Sequence, residues 1–203
     1  MIRHKRISEK LAQKKIDKEN KLLESAYNLF LEKGVDKTSV DEIVKKAGVA
    51  KGTFYIYFRD KEEIVEKLIL IKSAEVTKLA LEETLKNRYS SFIDGMLFFI
   101  DYIIEYLNKH KYIFNLINKN LSWGFYKKVL SEGEQFESIR KTKDLFMKNM
   151  QNTKFTNDEL EKIIFMIFEL IGTMSYNSII KGEPDNIKVV KPVLLKMIRK
   201  IFE

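Results

Sequence analysis

Lys51, Gly52, Thr53, Tyr55 and Tyr57 lie within seven consecutive residues, with Ser39 upstream and Lys61 just downstream. None is paired with a base or a metal-ligand spacing; together they offer hydrogen-bond donors, one cation and flat aromatic surfaces. A lysine ammonium reaches a phosphate or a guanine edge, and a threonine hydroxyl donates to either kind of acceptor. Gly52 lets a backbone approach closely, and the tyrosines add hydroxyl-tipped planes. Ser39 and Lys61 stand at helix starts, where free amides already face an anion. The chemistry is non-covalent recognition of a phosphate-bearing polymer. Solvated charge and ordinary packing are the rival explanation for each residue singly, and the ordered set outweighs it.

The elements that must position these residues are short and well punctuated. Ser39 and Glu42 form a capping box, Ile43, Val44 and Ala47 give one apolar face, and Gly48 suits a left-handed helix end. A second short helix follows, with Val49, Phe54 and Phe58 turned inward and Lys51, Gly52, Thr53, Tyr55 and Tyr57 outward. Two brief helices joined through Gly48 have the size of a helix-turn-helix, whose second helix enters a DNA major groove. Asp60 with Glu63 opens a long helix expected to reach Glu83. Upstream, residues 17 to 33 set Leu22, Leu23, Ala26, Tyr27, Phe30 and Leu31 on one face before Gly34.

The run G-V-A-K-G-T-F-Y-I-Y-F-R-D-K-E-E-I, with L-L-E-S-A-Y-N-L-F-L-E-K-G and T-S-V-D-E-I-V-K-K-A-G before it, resembles the signature of TetR-family transcriptional regulators. The likeness covers about the first third of the chain, and glycine, aromatic and cap positions agree in order. Ala50 departs from it, standing where the family often has a capping serine. The resemblance implies an all-α fold, with an N-terminal three-helix helix-turn-helix domain and a C-terminal helical ligand-binding and dimerisation domain. It implies DNA contacts from Ser39, Lys51, Gly52, Thr53, Tyr55, Tyr57 and Lys61. It further implies an effector that moves the helix beginning at Asp60 and so respaces the two DNA readers.

Charge supports the assignment independently. Residues 1 to 61 hold 15 Lys and Arg against 9 Asp and Glu, net +6, while residues 62 to 203 hold 22 against 20, net +2. The positive excess therefore accompanies the proposed reader, and binding should weaken steeply with salt. Arg3, Lys5, Arg6, Lys10, Lys14 and Lys15 add a basic stretch that extends the first helix, reaches a minor groove, or remains a solvated tail. The division of labour is expected at residues 1 to 61 and 62 to 203.

Composition narrows the remainder. With 45% hydrophobic residues but only eight glycines and two prolines, the 203-residue chain has little to spend on the turns of a sheet protein. There is no cysteine, and the two histidines, His4 and His110, are far apart. No catalytic residue, cofactor-binding residue or metal ligand is expected, and the chain is not read as an enzyme. The basic start has no apolar run behind it, so a cytoplasmic protein is expected. Residues 163 to 180 are apolar apart from Glu169, but the small polar residues among them favour a buried helix over a membrane span, and no membrane partner is expected.

In the C-terminal two thirds, residues 89 to 107 are apolar almost all round, with Asp94, Asp101 and Glu105 in one strip, as in a helix central to a bundle. One short and one longer helix are expected between residues 109 and 152, with breaks near Gly124 and Ser131 to Gly133. Thr156 with Glu159 makes another capping box. Gly182 and Pro184 end that helix, and Pro192 suits the first turn of the last. There Val190, Val193, Leu194, Met197, Ile198 and Ile201 form a stripe. The last two helices are expected to make half of a four-helix homodimer interface, with an internal core as the alternative.

Of 24 aromatic residues, 18 lie beyond Asn87. A small apolar or aromatic effector is expected near Phe98, Tyr102, Tyr106, Trp123, Phe125, Tyr126, Phe165, Phe168 and Tyr176. The function expected is a ligand-responsive repressor released from palindromic double-stranded DNA. An effector-independent structural or division-control protein on the same scaffold, or an activator, is the alternative.

Overall fold

The computed structural model describes residues 2–118, 136–150 and 155–203, which form nine α-helices and no strand. The helices are α1 (Ile2–Lys33), α2 (Val40–Ala47), α3 (Lys51–Tyr57), α4 (Lys61–Leu85), α5 (Phe92–Lys109), α6 (Lys111–Asn118), α7 (Glu137–Asn149), α8 (Asn157–Tyr176) and α9 (Ile187–Phe202). A π-helical turn, Asn177–Lys181, extends α8. The chain divides into two compact units, Met1–Leu68 and Ile69–Glu203, with the division inside α4. The basic stretch at the start is the opening of α1, with Lys10, Lys14 and Lys15 exposed.

The first unit closes around Leu22, Ala26, Ile43, Phe54 and Ile64, each wholly buried. On α1, Leu29 is buried and Leu31 is 42% exposed, which corrects the expected face by one position. The α1 to α2 connection turns at Gly34, φ +83°, and is fastened by Thr38, whose hydroxyl donates to the Gly34 carbonyl at 2.8 Å. At the start of α2 the capping box forms: the Ser39 amide donates to Glu42 Oε2 at 2.9 Å, and the Glu42 amide to Ser39 Oγ at 3.3 Å. Lys33 also binds the Glu42 carboxylate.

Those contacts, Lys33 first and the Ser39 amide and hydroxyl next, lower the Glu42 pKa from 4.5 to about 2. A depressed carboxyl contributes stability that is complete above its unfolded value and is lost as pH falls through the folded one. The melting midpoint of the first unit should therefore drop between pH 4.5 and about 2. Glu42→Gln should flatten that dependence. Circular-dichroism melts of both proteins at pH 3 and pH 6 test it, and parallel pH profiles would count against the box.

In the second unit the carboxylate strip of α5 is a seam against α9, not a solvent face. Arg199 pairs with Asp94 at 2.6 Å, and Lys191 meets both Asp101 and Glu105 at 2.6 Å. Burial works against the Lys191 charge, but the two carboxylates outweigh it and hold its pKa above the ordinary lysine value. Phe146, Met150 and Leu160 form a buried cluster with Phe92, Met96 and Phe202 around it. Thr156 and Glu159 make the second capping box at the start of α8. Asn186 caps α9 by accepting from the Lys188 amide at 3.0 Å, which starts this helix at Ile187 and puts Pro192 in its second turn. The expected breaks at Gly124 and Ser131 to Gly133 lie outside the described residues; α6 and α7 are the short and longer helices on either side.

Candidate nucleic-acid interface and effector cavity

Helix α3 is only seven residues long and is held from beneath by two rings. Phe54 is wholly buried, Phe58 is 3% exposed, and their centroids lie 5.6 Å apart. Fixing these two residues turns the opposite side of a short helix to solvent. Lys51, Gly52 and Tyr55 are exposed, while Thr53 and Tyr57 are half-buried at its flanks. Ile56, which chemical type alone did not single out, is 70% exposed. It follows Gly52 by four positions, so the outer surface has two rows, Lys51 with Tyr55 and Gly52 with Ile56. A Cβ on Gly52 would meet nothing within 4 Å, which leaves that row open to a close approach.

The turn before α3 depends on Gly48, whose φ of +67° and ψ of +35° lie in the left-handed region. Ala50 precedes α3 without any side-chain cap. Ala50→Ser should supply the missing acceptor and stabilise the first unit by about 1 kcal/mol. A chemical denaturation midpoint that does not rise would show that the cap geometry is unavailable.

Two of the cations are already engaged. Lys51 pairs with Asp41 of α2 at 2.8 Å, which raises its pKa. Lys61 donates to the carbonyls of Val35 at 2.9 Å and Thr38 at 3.2 Å, so it ties α4 to the α1–α2 connection. The Ser39 hydroxyl sits in the capping box. At the opening of α4 the Glu63 amide donates to Asp60 at 2.8 Å, and the return bond to Glu63 comes from the Arg59 amide rather than from Asp60. Arg59 chiefly, with the Glu63 amide, lowers the Asp60 pKa.

Residues 22–68, which contain all of this geometry, match the family of bacterial regulatory proteins, tetR family. Within that segment the chain is similar to the TetR family. It is 50% identical over 48 residues to the uncharacterised HTH-type transcriptional regulator YvdT of Bacillus subtilis, covering 24% of this chain and 25% of that relative. It is 31% identical over 103 residues to YdgC of the same organism, covering 50% of this chain and 53% of YdgC. The chain thus spans about half or less of the length of these curated relatives. A crystal structure of Thermus thermophilus FadR, a TetR-family transcriptional repressor in complex with lauroyl-CoA, shares the fold. Its TM-score is 0.62 at 15% identity, over 89% of this chain and 92% of that one. The described residues are thus all-helical, with a TetR-like helix-turn-helix segment at 22–68.

The second unit holds a cavity of about 460 Å³. One row of α4, from Ser73 through Thr77, Leu81 and Thr84, forms one wall, and a row of α5 from Phe92 to Leu107 forms another. Helices α7 and α8 supply further walls through residues such as Phe146, Ile167 and Phe168. Of the aromatic residues expected here, Phe168 lines the cavity. Phe98, Tyr102, Tyr106, Phe165 and Tyr176 do not, and Trp123, Phe125 and Tyr126 lie outside the described residues. Phe98 borders a separate groove beside α9 instead. Tyr106 stacks on His110 at 4.4 Å, and Tyr176 stands behind the lining residue Phe114 at 5.7 Å. The aromatic lining is instead Tyr89, Phe92, Phe99, Phe114, Phe146 and Phe168. Among the described residues no group of His, Cys, Asp and Glu has the arrangement of a metal site.

Proposed function

We propose that this protein is a homodimeric, ligand-responsive repressor that leaves a palindromic operator when a small apolar effector occupies the cavity of its second unit. The observation that carries the reading is the coexistence of an outward-facing reader helix and a large apolar cavity. Lys51, Gly52, Thr53, Tyr55 and Tyr57 are assigned to DNA contact, with Ser39 and Lys61 at the flanking helix starts. Each α3 covers only a few base pairs, so two copies in successive major grooves, about 34 to 36 Å apart or further, give an operator its length.

Support for the dimer comes from α8 and α9. Val189, Val193 and Met197 form an exposed row on α9, and Met166 is 58% exposed on α8. The α8 helix with its π extension is long and apolar enough to cross a membrane by length and composition alone. Pairing with a second copy accounts for its apolar exposure without a bilayer. Support for the effector comes from the apolar cavity walls, and the lauroyl-CoA held by the Thermus thermophilus relative shows that a fold of this kind accommodates an acyl chain. Helix α4 carries one wall of the cavity and begins beside α3 in sequence, so a ligand that prefers one placement of α4 biases the spacing of the readers.

The test is selection of binding sites from a random duplex library, followed by titration of wild type and Tyr55→Ala. Tyr55 is 54% exposed beside Lys51, so its removal should lower affinity for the selected palindrome about tenfold and leave random duplex nearly unchanged. Equal loss on both duplexes, or selection of no two-fold sequence, would overturn the assignment.

A further inference from the structure

Polar groups in the cavity wall are few, and nearly all are spent. Among the described lining residues the only charged side chain is Lys143, whose ammonium binds Glu161 at 2.6 Å. The hydroxyls of Thr77, Thr84 and Thr142 donate to carbonyls one turn back at 2.7 to 2.8 Å. The amides of Asn87 and Asn149 do likewise, at 3.0 and 2.8 Å, and Ser91 binds Asp94. Two hydroxyls remain. Ser73 Oγ and Tyr89 OH are buried in the wall with no hydrogen-bond partner.

A buried hydroxyl without a partner is destabilising, so two of them in the wall of one cavity point to a partner that arrives with the ligand. Among the described lining residues an ionised ligand group would find no free counter-charge, and burying it there costs far more than burying an alcohol or a carbonyl. Shape adds a second constraint. The α4 row from Ser73 to Leu85 runs about 18 Å, and the α5 row from Phe92 to Leu107 about 22 Å, at 1.5 Å per residue. The walls thus suit an elongated guest. Tyr89, just beyond the end of α4, is seated by Gly95: a Cβ there would lie 3.1 Å from the tyrosine ring, which also packs against Phe98 at 5.5 Å between centroids. Gly95 thereby leaves room for the ring at the edge of the cavity.

We infer that the cavity takes an uncharged linear lipophile, with a hydroxyl or carbonyl oxygen paired to Tyr89 and its hydrocarbon laid along α4 and α5. Ser73 offers a second hydrogen bond towards the other end of the α4 row. The inference rests on the cavity being the effector site, and it excludes a free carboxylate as the buried end.

Calorimetric titration of the 203-residue chain with 1-decanol and with decanoate at pH 8, where the acid is ionised, separates the cases. Decanol should bind at least tenfold more tightly than decanoate. Tyr89→Phe should cut decanol affinity about five- to tenfold while leaving the melting point of the ligand-free protein unchanged or higher, since an unpaired hydroxyl is removed. Equal affinity for the two probes, or an unaltered decanol affinity in Tyr89→Phe, overturns the uncharged-ligand inference and leaves an apolar effector site in place. A Tyr89→Phe protein that melts markedly lower assigns the hydroxyl a structural role and overturns it too. Failure of both probes to bind removes the inference together with the effector-site reading.

Discussion

Phe54→Ala is expected to abolish sequence-specific DNA binding while the second unit stays folded. The ring is wholly buried beneath a seven-residue helix that has no side-chain cap. So short a helix has almost no intrinsic stability and exists because its underside is packed. Removing a buried phenylalanine side chain costs about 3–5 kcal/mol, which is comparable to the whole stability of a unit this small. Phe58 cannot compensate, because it stacks on Phe54 itself at 5.6 Å. None of the cavity-lining residues lies in this unit, so loss of α3 should spare ligand binding. Far-UV circular dichroism should retain most of its helical signal, and mobility shift on the selected operator should show no complex. A Phe54→Ala protein that still selects the wild-type palindrome would remove α3 as the reader.

The contrast between what was legible in the sequence and what was not follows the range of the interactions. Ser39 with Glu42 and Thr156 with Glu159 are pairs three residues apart, and both form as spacing predicts. Gly48 is equally local, since only the backbone at that position decides its left-handed turn. Asp60 is a partial case: its bond to the Glu63 amide was legible, but the return bond shifts to Arg59 because the approach to α4 sets which amide is near. Chemical type does not mark Ile56 as a contact residue, whereas its offset of four residues from Gly52 places it on the open face.

The cavity was hidden for a different reason. Helix α5 is apolar on nearly every side, and one step along a helix turns the side chain by about 100°. Whether Phe98 or Phe99 faces the cavity is therefore decided by neighbouring helices, not by α5. The structure chooses Phe99 and Ile103, and the Asp94, Asp101 and Glu105 strip faces α9 because Lys191 and Arg199 are there to meet it. Those partners are 86 to 105 residues away in the chain, beyond the reach of any periodicity. The α9 stripe divides by the same logic. Leu194 and Ile198 enter the core, while Val193 and Met197 in the same stripe stay outside.

That division makes Val193→Asp the second substitution with a large expected effect. Val193 is 67% exposed at the middle of the row with Val189 and Met197, so the change should alter the folded subunit by no more than about 0.5 kcal/mol. Across a two-fold interface the same substitution occurs twice, and two carboxylates then enter one desolvated apolar contact. The protein should become monomeric at micromolar concentration by sedimentation. Coupling between two half-sites contributes about 10²- to 10⁴-fold in apparent affinity, so operator binding should fall by at least a hundredfold even though α3 is untouched. A Val193→Asp protein that remains dimeric would move the interface away from this row. A monomer that binds the full palindrome as tightly as wild type would remove reader spacing as the quantity that an effector controls, because a single α3 would then suffice.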